Sequence, residues 1–256
     1  MKFASLGSGS EGNALLISAP SGITETLVML DCGFGLKEAE SRLGHLHIDP
    51  KQLSGIIVTH EHQDHVGGVF RLARRHKIPV WMTHGTLEAV RDEAVGVTVH
   101  ICRDGAPFVI GDLEIQPYTV PHDAREPVQY TATDGIRKLG VLTDVGHATP
   151  HLVKALSACD ALVLEFNHDT EMLAQSVYPP WLKARIGGQM GHLSNQQSAD
   201  ILQSLDRSRL KRVIAAHLSQ KNNSPDKVRS MMAGVLAGSD VEVLIADQAS
   251  GFDWMD

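Results

Sequence analysis

Cysteine is scarce in this sequence of 256 residues. Its three cysteines, Cys32, Cys102 and Cys159, are an odd number and lie far apart along the chain. Their spacing matches neither a zinc finger nor the disulfide framework on which small secreted domains depend. We therefore expect a protein that works in a reducing compartment, and we predict a cytoplasmic location.

Long apolar runs and an excess of basic charge are also missing. No apolar run approaches the roughly 20 residues of a membrane span, and Gly and Ser interrupt residues 1–10 too early for a signal peptide. We expect no membrane partner. The formal net charge is -7, whereas proteins that rely on non-specific phosphate contacts usually carry a basic excess. The overall charge therefore gives no sign of a surface built for such contacts.

Short apolar runs recur along the whole chain. Ten of them have the length and the flanking polar or turn residues of β-strands. They are residues 14–18, 27–30, 55–59, 79–82, 97–101, 113–118, 138–142, 161–165, 212–216 and 241–245. Apolar spacing predicts helices over residues 66–76, 151–158, 194–205 and 225–236. No repeat or linker divides the chain, so we predict a single α/β domain over residues 1–256.

Histidine is the one unusual count, at 14. Four potential metal ligands stand within six positions directly after the apolar run 55–59, namely His60, His62, Asp64 and His65. In an extended chain, His60 and His62 point the same way and can share one metal. A helix that begins at about Asp64 would aim Asp64 and His65 towards a second metal. The glycines that follow, in residues 66–68, would permit close approach of the backbone.

Imidazole and carboxylate at this spacing suit divalent metal. They are ligands for Zn²⁺, and also for Mn²⁺ or Fe. Two metals a short distance apart can share a hydroxide and stabilise both the attacking and the leaving oxygen of a displacement. The alternative is a histidine-rich surface loop, which four ligand-type residues directly after a buried strand disfavour.

The segment 60–65 matches the His-x-His-x-Asp-His motif of the metallo-β-lactamase superfamily. Four residues outside this segment resemble the other motif positions of that superfamily: Asp31, His122, Asp144 and His217. Singly, each could be a turn residue, a loop histidine, a helix cap or a buried histidine. Together they extend the resemblance over nearly the whole chain, and it implies a four-layer α/β/β/α sandwich, the metallo-β-lactamase fold.

The resemblance also implies a ligand set. His60, His62 and His122 would bind the first of two divalent metals, and Asp64, His65 and His217 the second. Asp144 would bridge both, and Asp31 would hydrogen-bond within the metal loop. Zn²⁺ is the first choice of metal, with Mn²⁺ or Fe as alternatives.

Three further segments resemble the YycJ/WalJ-type subfamily, which is associated with phosphodiester cleavage and DNA exonuclease activity. They are residues 6–13, residues 165–169 and residues 191–195 together with 217–223. Residues 7–12 are not a P-loop, since no Gly-Lys-Ser/Thr follows, and a tight turn is the plainer interpretation. His192 resembles the non-ligand histidine that tRNase Z-like enzymes place near the scissile phosphate.

The resulting prediction is a dinuclear metal-dependent phosphodiesterase or nuclease that uses a metal-bridging hydroxide. Its substrate would be nucleic acid or a small phosphodiester, and the acidic net charge keeps the small substrate open. Asp64, His192 and His168 are its candidate catalytic residues, although His168 could equally be a core histidine. We expect residues 171–191 to be a loop beside the cleft, in which Tyr178 and Trp181 either stack on a base or simply pack.

Three alternatives stay open. Thioester hydrolysis of the glyoxalase II kind uses nearly the same ligands, and a non-catalytic metal-binding regulatory partner is a different class of protein. The oligomeric state, including a homodimer, is also open.

Overall fold

The computed structural model of the protein describes residues 1–21 and 24–256. Within them, two seven-stranded β-sheets pack face to face. The strands are β1 (Lys2–Gly7), β2 (Ala14–Ser21), β3 (Thr24–Leu30), β4 (Gly55–Ile57), β5 (Val80–Met82), β6 (Val99–Ile101), β7 (Phe108–Ile110), β8 (Leu113–Thr119), β9 (Val128–Thr133), β10 (Lys138–Leu142), β11 (Ala161–Glu165), β12 (Arg212–Ala216), β13 (Glu242–Ile245) and β14 (Phe252–Met255).

Each sheet joins a parallel half to an antiparallel half. The first has the order β14-β1-β2-β3-β4-β5-β6 and is parallel from β3 to β6. The second has the order β13-β12-β11-β10-β9-β8-β7 and is parallel from β10 to β13. Parallel strands end at the same edge of a sheet, so each sheet presents a row of carboxyl ends there.

Helices flank both sheets, and most of them pack on the outer faces. They are α1 (Leu36–His45), α2 (Gln63–Val66), α3 (Val69–His76), α4 (His84–Ala89), α5 (Pro150–Leu156), α6 (Thr170–Gln175), α7 (Pro180–Ile186), α8 (Asn195–Ser204) and α9 (Pro225–Val235), with a 3-10 turn at Pro50–Gln52. No helix in the described part of the chain is long and apolar enough to cross a membrane.

Strand side chains alternate between two apolar layers. In β2, Leu15 and Ile17 join the core between the sheets, whereas Ala14 and Leu16 face the cluster under the helices of the first sheet. This is the period of two that a pleated strand imposes when both of its faces are buried. A third apolar cluster lies between the second sheet and α5, α8 and α9. The three apolar layers confirm the predicted four-layer α/β/β/α sandwich.

All ten predicted strands are present, with shifts at their ends. The sequence prediction missed β1, β7, β9 and β14. In β9 the reason is visible, because buried polar side chains such as Gln129 and Thr131 interrupt its apolar pattern. Such a strand has no apolar run for the pattern to detect.

Two predictions about helices need correction. The helix predicted over residues 66–76 is interrupted, since α2 ends at Val66 and α3 begins at Val69. Gly68, between them, lies against the backbone of Phe34, where a Cβ would be only 1.8 Å from the Phe34 oxygen. The loop predicted over residues 171–191 is wrong, because it contains most of α6 and all of α7. These helices are too short to show a periodic apolar pattern in the sequence. Their first residues are nevertheless typical of helix starts, since Asp169 caps α6 and Pro180 is the first residue of α7.

Candidate metal centre

The predicted ligands meet at the carboxyl ends of strands from both sheets. Asp31 follows β3, and residues 60–65 come shortly after β4. From the second sheet, His122 follows β8, Asp144 follows β10 and His217 follows β12. The topology therefore converts positions nearly 190 residues apart in the chain (from 31 to 217) into one site. Short loops after neighbouring strands are where α/β proteins commonly place functional groups.

Three of these residues have an unusual backbone. Asp31, Asp144 and His217 have φ angles of 58°, 52° and 56°, in the left-handed region. Residues other than glycine seldom adopt this conformation, and each instance costs on the order of 1–3 kcal/mol. The turn it makes directly after a strand aims each side chain inward, so the strain accompanies the assembly of the site.

The first cluster of donors contains His60, His62 and His122, whose ligand atoms all lie within 4.8 Å of one another. Nδ1 of His62 is 3.3 Å from Nε2 of His122. The opposite nitrogen of His122, Nδ1, donates to the Gly191 carbonyl at 3.1 Å. A histidine whose one nitrogen donates in this way presents the lone pair of the other, which is how metal-binding histidines are usually oriented.

The second cluster contains Asp64, His65 and His217, again with ligand atoms within 4.8 Å of one another. Oδ2 of Asp64 is 3.6 Å from Nε2 of both histidines. Asp144 lies next to both clusters, since it also groups with His60 and His65. The arrangement brings together all seven residues predicted as ligands.

A divalent cation fits this donor set. Nε2 of His60, Nε2 of His217 and Oδ2 of Asp144 are buried and make no hydrogen bond within the described chain. Oδ2 of Asp144 is 2.8 Å from Nε2 of His65 but without hydrogen-bond geometry. Buried polar atoms are normally paired, and these unpaired ones belong to the residue types that bind Zn²⁺.

Electrostatics in the site also favours a cation. Burial lowers the pKa of His60, and the neighbouring His65 lowers it further, which keeps this imidazole in the neutral form that binds metal. For His217, burial also lowers the pKa, but Asp144, Asp64 and Glu165 together raise it to about 10. The carboxylates around His217 thus stabilise positive charge, which a metal would supply.

Asp31 and Thr59 hold the histidines of the metal loop. Oδ2 of Asp31 accepts hydrogen bonds from Nδ1 of His65 at 2.8 Å and from the Thr59 hydroxyl at 2.7 Å. Because that hydroxyl donates to Asp31, its oxygen is free to accept from Nδ1 of His60, 2.9 Å away. One buried carboxylate therefore sets the orientation of two imidazoles. The expectation that Asp31 hydrogen-bonds within the metal loop is confirmed.

Glu165 is the main site residue that the sequence analysis left without a role. Fully buried at the end of β11, it accepts from Nδ1 of His192 at 3.0 Å and from Nδ1 of His217 at 3.1 Å. It also accepts from three backbone amides, those of residues 144, 145 and 193. Burial raises its pKa, but the charge of His192 and the hydrogen bonds from His192 and His217 bring the pKa down to about 2. The segment 165–169 is part of the family resemblance, but nothing in the sequence indicates that its glutamate is buried at the end of a strand.

His192 and His168 lie in different surroundings. Nδ1 of His192 is 3.0 Å from Glu165 and 3.3 Å from Oδ1 of Asp144, and its side chain is 21% exposed. It therefore forms a further donor group with Asp144, Glu165 and His217, whose ligand atoms also lie within 4.8 Å of one another, and it reaches solvent. His168 is buried, burial lowers its pKa to about 4, and it belongs to none of the donor clusters found in the described residues. Its backbone pairs with that of Ser194 instead.

A two-sheet sandwich with histidines and carboxylates gathered at its strand ends offers a divalent-metal site of the kind that metal-dependent hydrolases use. The chain belongs to the beta-lactamase superfamily domain family, which it matches over residues 26–218. The resemblance predicted from the segment 60–65 is thereby confirmed.

Two relatives are similar over most of their length. The chain is 33% identical to the exodeoxyribonuclease YycJ of Bacillus anthracis over 239 residues, which are 92% of this chain and 89% of the relative. It is 30% identical to the exodeoxyribonuclease WalJ of Streptococcus pneumoniae over 247 residues, 94% of this chain and 90% of the relative. Among solved structures, the metallo-beta-lactamase fold protein YhfI from Bacillus subtilis superimposes with a TM-score of 0.75 at 18% identity, covering 100% of this chain and 99% of that one. The last similarity concerns the fold alone.

Proposed function

We propose that this protein is a dinuclear metal-dependent phosphodiesterase that removes nucleotides from DNA ends. The observation that carries the proposal is the pair of three-residue donor clusters with Asp144 beside both. Two relatives named exodeoxyribonucleases, similar over nine-tenths of this chain, support DNA as the substrate.

In this proposal, each cluster holds one divalent ion. His60, His62 and His122 hold the first, Asp64, His65 and His217 hold the second, and Asp144 contacts both. When bound, the two ions supply an activated water and polarise a phosphoryl oxygen. Zn²⁺ is the first choice for sites of imidazole and carboxylate, with Mn²⁺ and Fe as alternatives.

His192 supplies the proton for the leaving oxygen. The Glu165 carboxylate accepts the Nδ1 hydrogen of His192 and so fixes the ring. With Nδ1 held by Glu165, the imidazolium form of His192 would give its Nε2 proton to the departing 3′- or 5′-oxygen. Glu165 orients His217 in the same way, so one carboxylate aligns a metal ligand and a proton donor. His168 has no direct role in this scheme, because its side chain is buried outside the clusters.

A substrate panel tests the proposal. The purified protein with Zn²⁺ or Mn²⁺ is offered end-labelled single- and double-stranded DNA, RNA, a base-free phosphodiester, a thioester and a β-lactam. We expect stepwise shortening of DNA from an end and hydrolysis of the simple diester. In the Asp64→Ala variant we expect turnover to fall by at least about a thousandfold, with lower metal content and unchanged folding.

Each alternative has its own signature in this panel. Turnover of the thioester alone would replace the proposal by glyoxalase II-like hydrolysis. Bound metal without turnover of any substrate would favour a regulatory metal-binding protein. Full activity of the Asp64→Ala variant after metal depletion would overturn the ligand scheme.

A further inference from the structure

The helix α7 lies beside the metal centre and has no buried residue. Its segment carries several exposed apolar side chains, with Val177 at 98% exposure, Trp181 at 68% and Met190 at 48%. Tryptophan is highly buried on average, so a ring exposed to this extent leaves a large apolar face open to a ligand.

Hydrogen bonds fix this segment against the site. The carbonyl of Met190 accepts from the Asp123 amide at 3.0 Å, and the carbonyl of Ile186 accepts from the His192 amide at 2.8 Å. The carbonyl of Gly191 accepts from Nδ1 of the predicted ligand His122. The exposed face of α7 is therefore held at a fixed position relative to the first donor cluster.

Arg185 brings positive charge from α7 to the rim of that cluster. Its Nε donates to Oδ2 of Asp123 at 2.7 Å, and the other carboxylate oxygen, Oδ1, is 3.5 Å from Nε2 of His122 and 3.9 Å from Nε2 of His62. The Arg185 side chain is 53% exposed. Its remaining guanidinium donors can thus reach a ligand while Asp123 restricts its orientation, an arrangement suited to phosphate.

Trp181 and Arg185 are four residues apart in a helix and so lie on the same face. The positions of these two residues are separated by about 6 Å along the helix axis. A second cation stands close by, since Nζ of Lys221 is 5.8 Å from the ring of Tyr178. The chain as a whole has a net charge of -7, so these local cations are what would attract a polyanion.

From this we infer that α7 is the nucleotide-binding wall of the active site. Arg185 contacts a phosphate of a single-stranded DNA end, and Trp181 stacks on the base attached to it, as aromatic residues do in proteins that bind single strands. The inference rests on the proposed phosphodiesterase function and adds to it a requirement for a base. It accounts for how an acidic protein selects a nucleic acid.

Binding of a fluorescent oligonucleotide tests the inference without turnover. The measurement uses the Asp64→Ala background, which prevents cleavage, and two single strands that differ only in abasic residues at the end. With Trp181 present, we expect the abasic strand to bind at least about tenfold more weakly than the normal strand. In the Trp181→Ala variant, the affinity for the normal strand should fall to that of the abasic strand. The affinity for the abasic strand should stay unchanged. Trp181→Phe should retain most of the preference for a base.

Arg185→Gln should weaken binding of both strands about equally and reduce the salt dependence of binding. The matched controls lie at the opposite edge of the second sheet. Arg209 is also a half-exposed arginine paired with an aspartate, and Ile136 is also an exposed apolar residue. We expect Arg209→Gln and Ile136→Ala to bind like the parent, and thermal melting checks that all variants are folded.

The outcomes separate the inference from the proposed function. If the protein cleaves DNA but folded Trp181→Ala and Arg185→Gln variants bind both strands like the controls, the inference fails and the proposed function stands. An equal response of Trp181→Ala to both strands also overturns it, because stacking requires a base. If the wild-type protein hydrolyses no phosphodiester and binds no oligonucleotide, the proposed function fails and the inference with it.

Discussion

The two edges of the second sheet are built on different principles. At the amino ends of its strands, charged groups pair at the surface, as in Arg209–Asp160 at 2.7 Å and Arg212–Glu242 at 2.6 Å. At the carboxyl ends, charged groups are buried, and Asp144, Glu165 and His217 are each no more than 2% exposed. Surface pairs add little to stability, typically about 0–1 kcal/mol, whereas buried charges are costly unless they are compensated.

The contrast fits the proposed metal site. Surface pairs at the amino edge are satisfied by each other and by solvent. At the site edge, buried ligand atoms of Asp144 and His217 remain without a hydrogen-bond partner in the described residues. A fold selected for stability alone would not keep such features. They are compensated when a cation occupies the donors, because the binding energy of a metal contributes to folding.

Among the substitutions that test this contrast, we expect Glu165→Gln to have the largest effect on metal affinity and turnover. The amide keeps the shape of the side chain but turns an NH₂ group towards groups that all donate hydrogen bonds. We expect metal affinity and turnover to fall about 100-fold, since partners of metal ligands typically contribute 10- to 100-fold. Metal titration and steady-state kinetics measure both quantities. Glu242→Gln, the same substitution at the amino edge, is the control, and equal behaviour of the two variants would contradict the contrast.

A smaller effect is expected from Asp31→Asn. The amide can still accept from Thr59, but it loses the charge that orients His65. We expect metal affinity to fall about tenfold, with a turnover at saturating metal closer to that of the wild type. A competition titration with a chelating dye gives the affinity. An unchanged affinity would show that the Asp31–His65 hydrogen bond does not support the site.

The smallest effect is expected from Arg209→Gln at the amino edge. Its pair with Asp160 is half exposed on the arginine side, so we expect the free energy of unfolding to change by no more than about 1 kcal/mol. Metal content and turnover should stay as in the wild type. Urea denaturation together with the activity assay checks this, and a loss of activity would mean that the two edges are not independent.

The sequence predicted the residues of the candidate site better than it predicted the helices and strands around that site. The seven donors are side chains of distinctive chemistry in recognisable segments, so their proximity could be expected before the fold was known. Glu165 differs, because its importance arises from burial and from five donors that approach it from separate parts of the chain. A contribution of that kind exists only in three dimensions.

Local patterns also explain which elements were missed. The strand β9 carries buried polar side chains, and α7 has no buried face at all, so neither has the periodicity from which elements are recognised. The pairing of Arg185 with Asp123 joins positions that are 62 residues apart and could not be seen in the sequence. Of the two residues of α7 that we assign to substrate binding, Trp181 is already a stacking candidate in the sequence, whereas Arg185 comes from the structure.

The number of metal ions per chain tests the central claim most directly. Elemental analysis of the purified protein after equilibration with Zn²⁺ should give about two ions per chain for the wild type. The His122→Ala and His217→Ala variants, each of which removes a donor from one cluster, should retain about one tightly bound ion. A single ion in the wild-type protein, or two in both variants with unchanged affinity, would contradict the account.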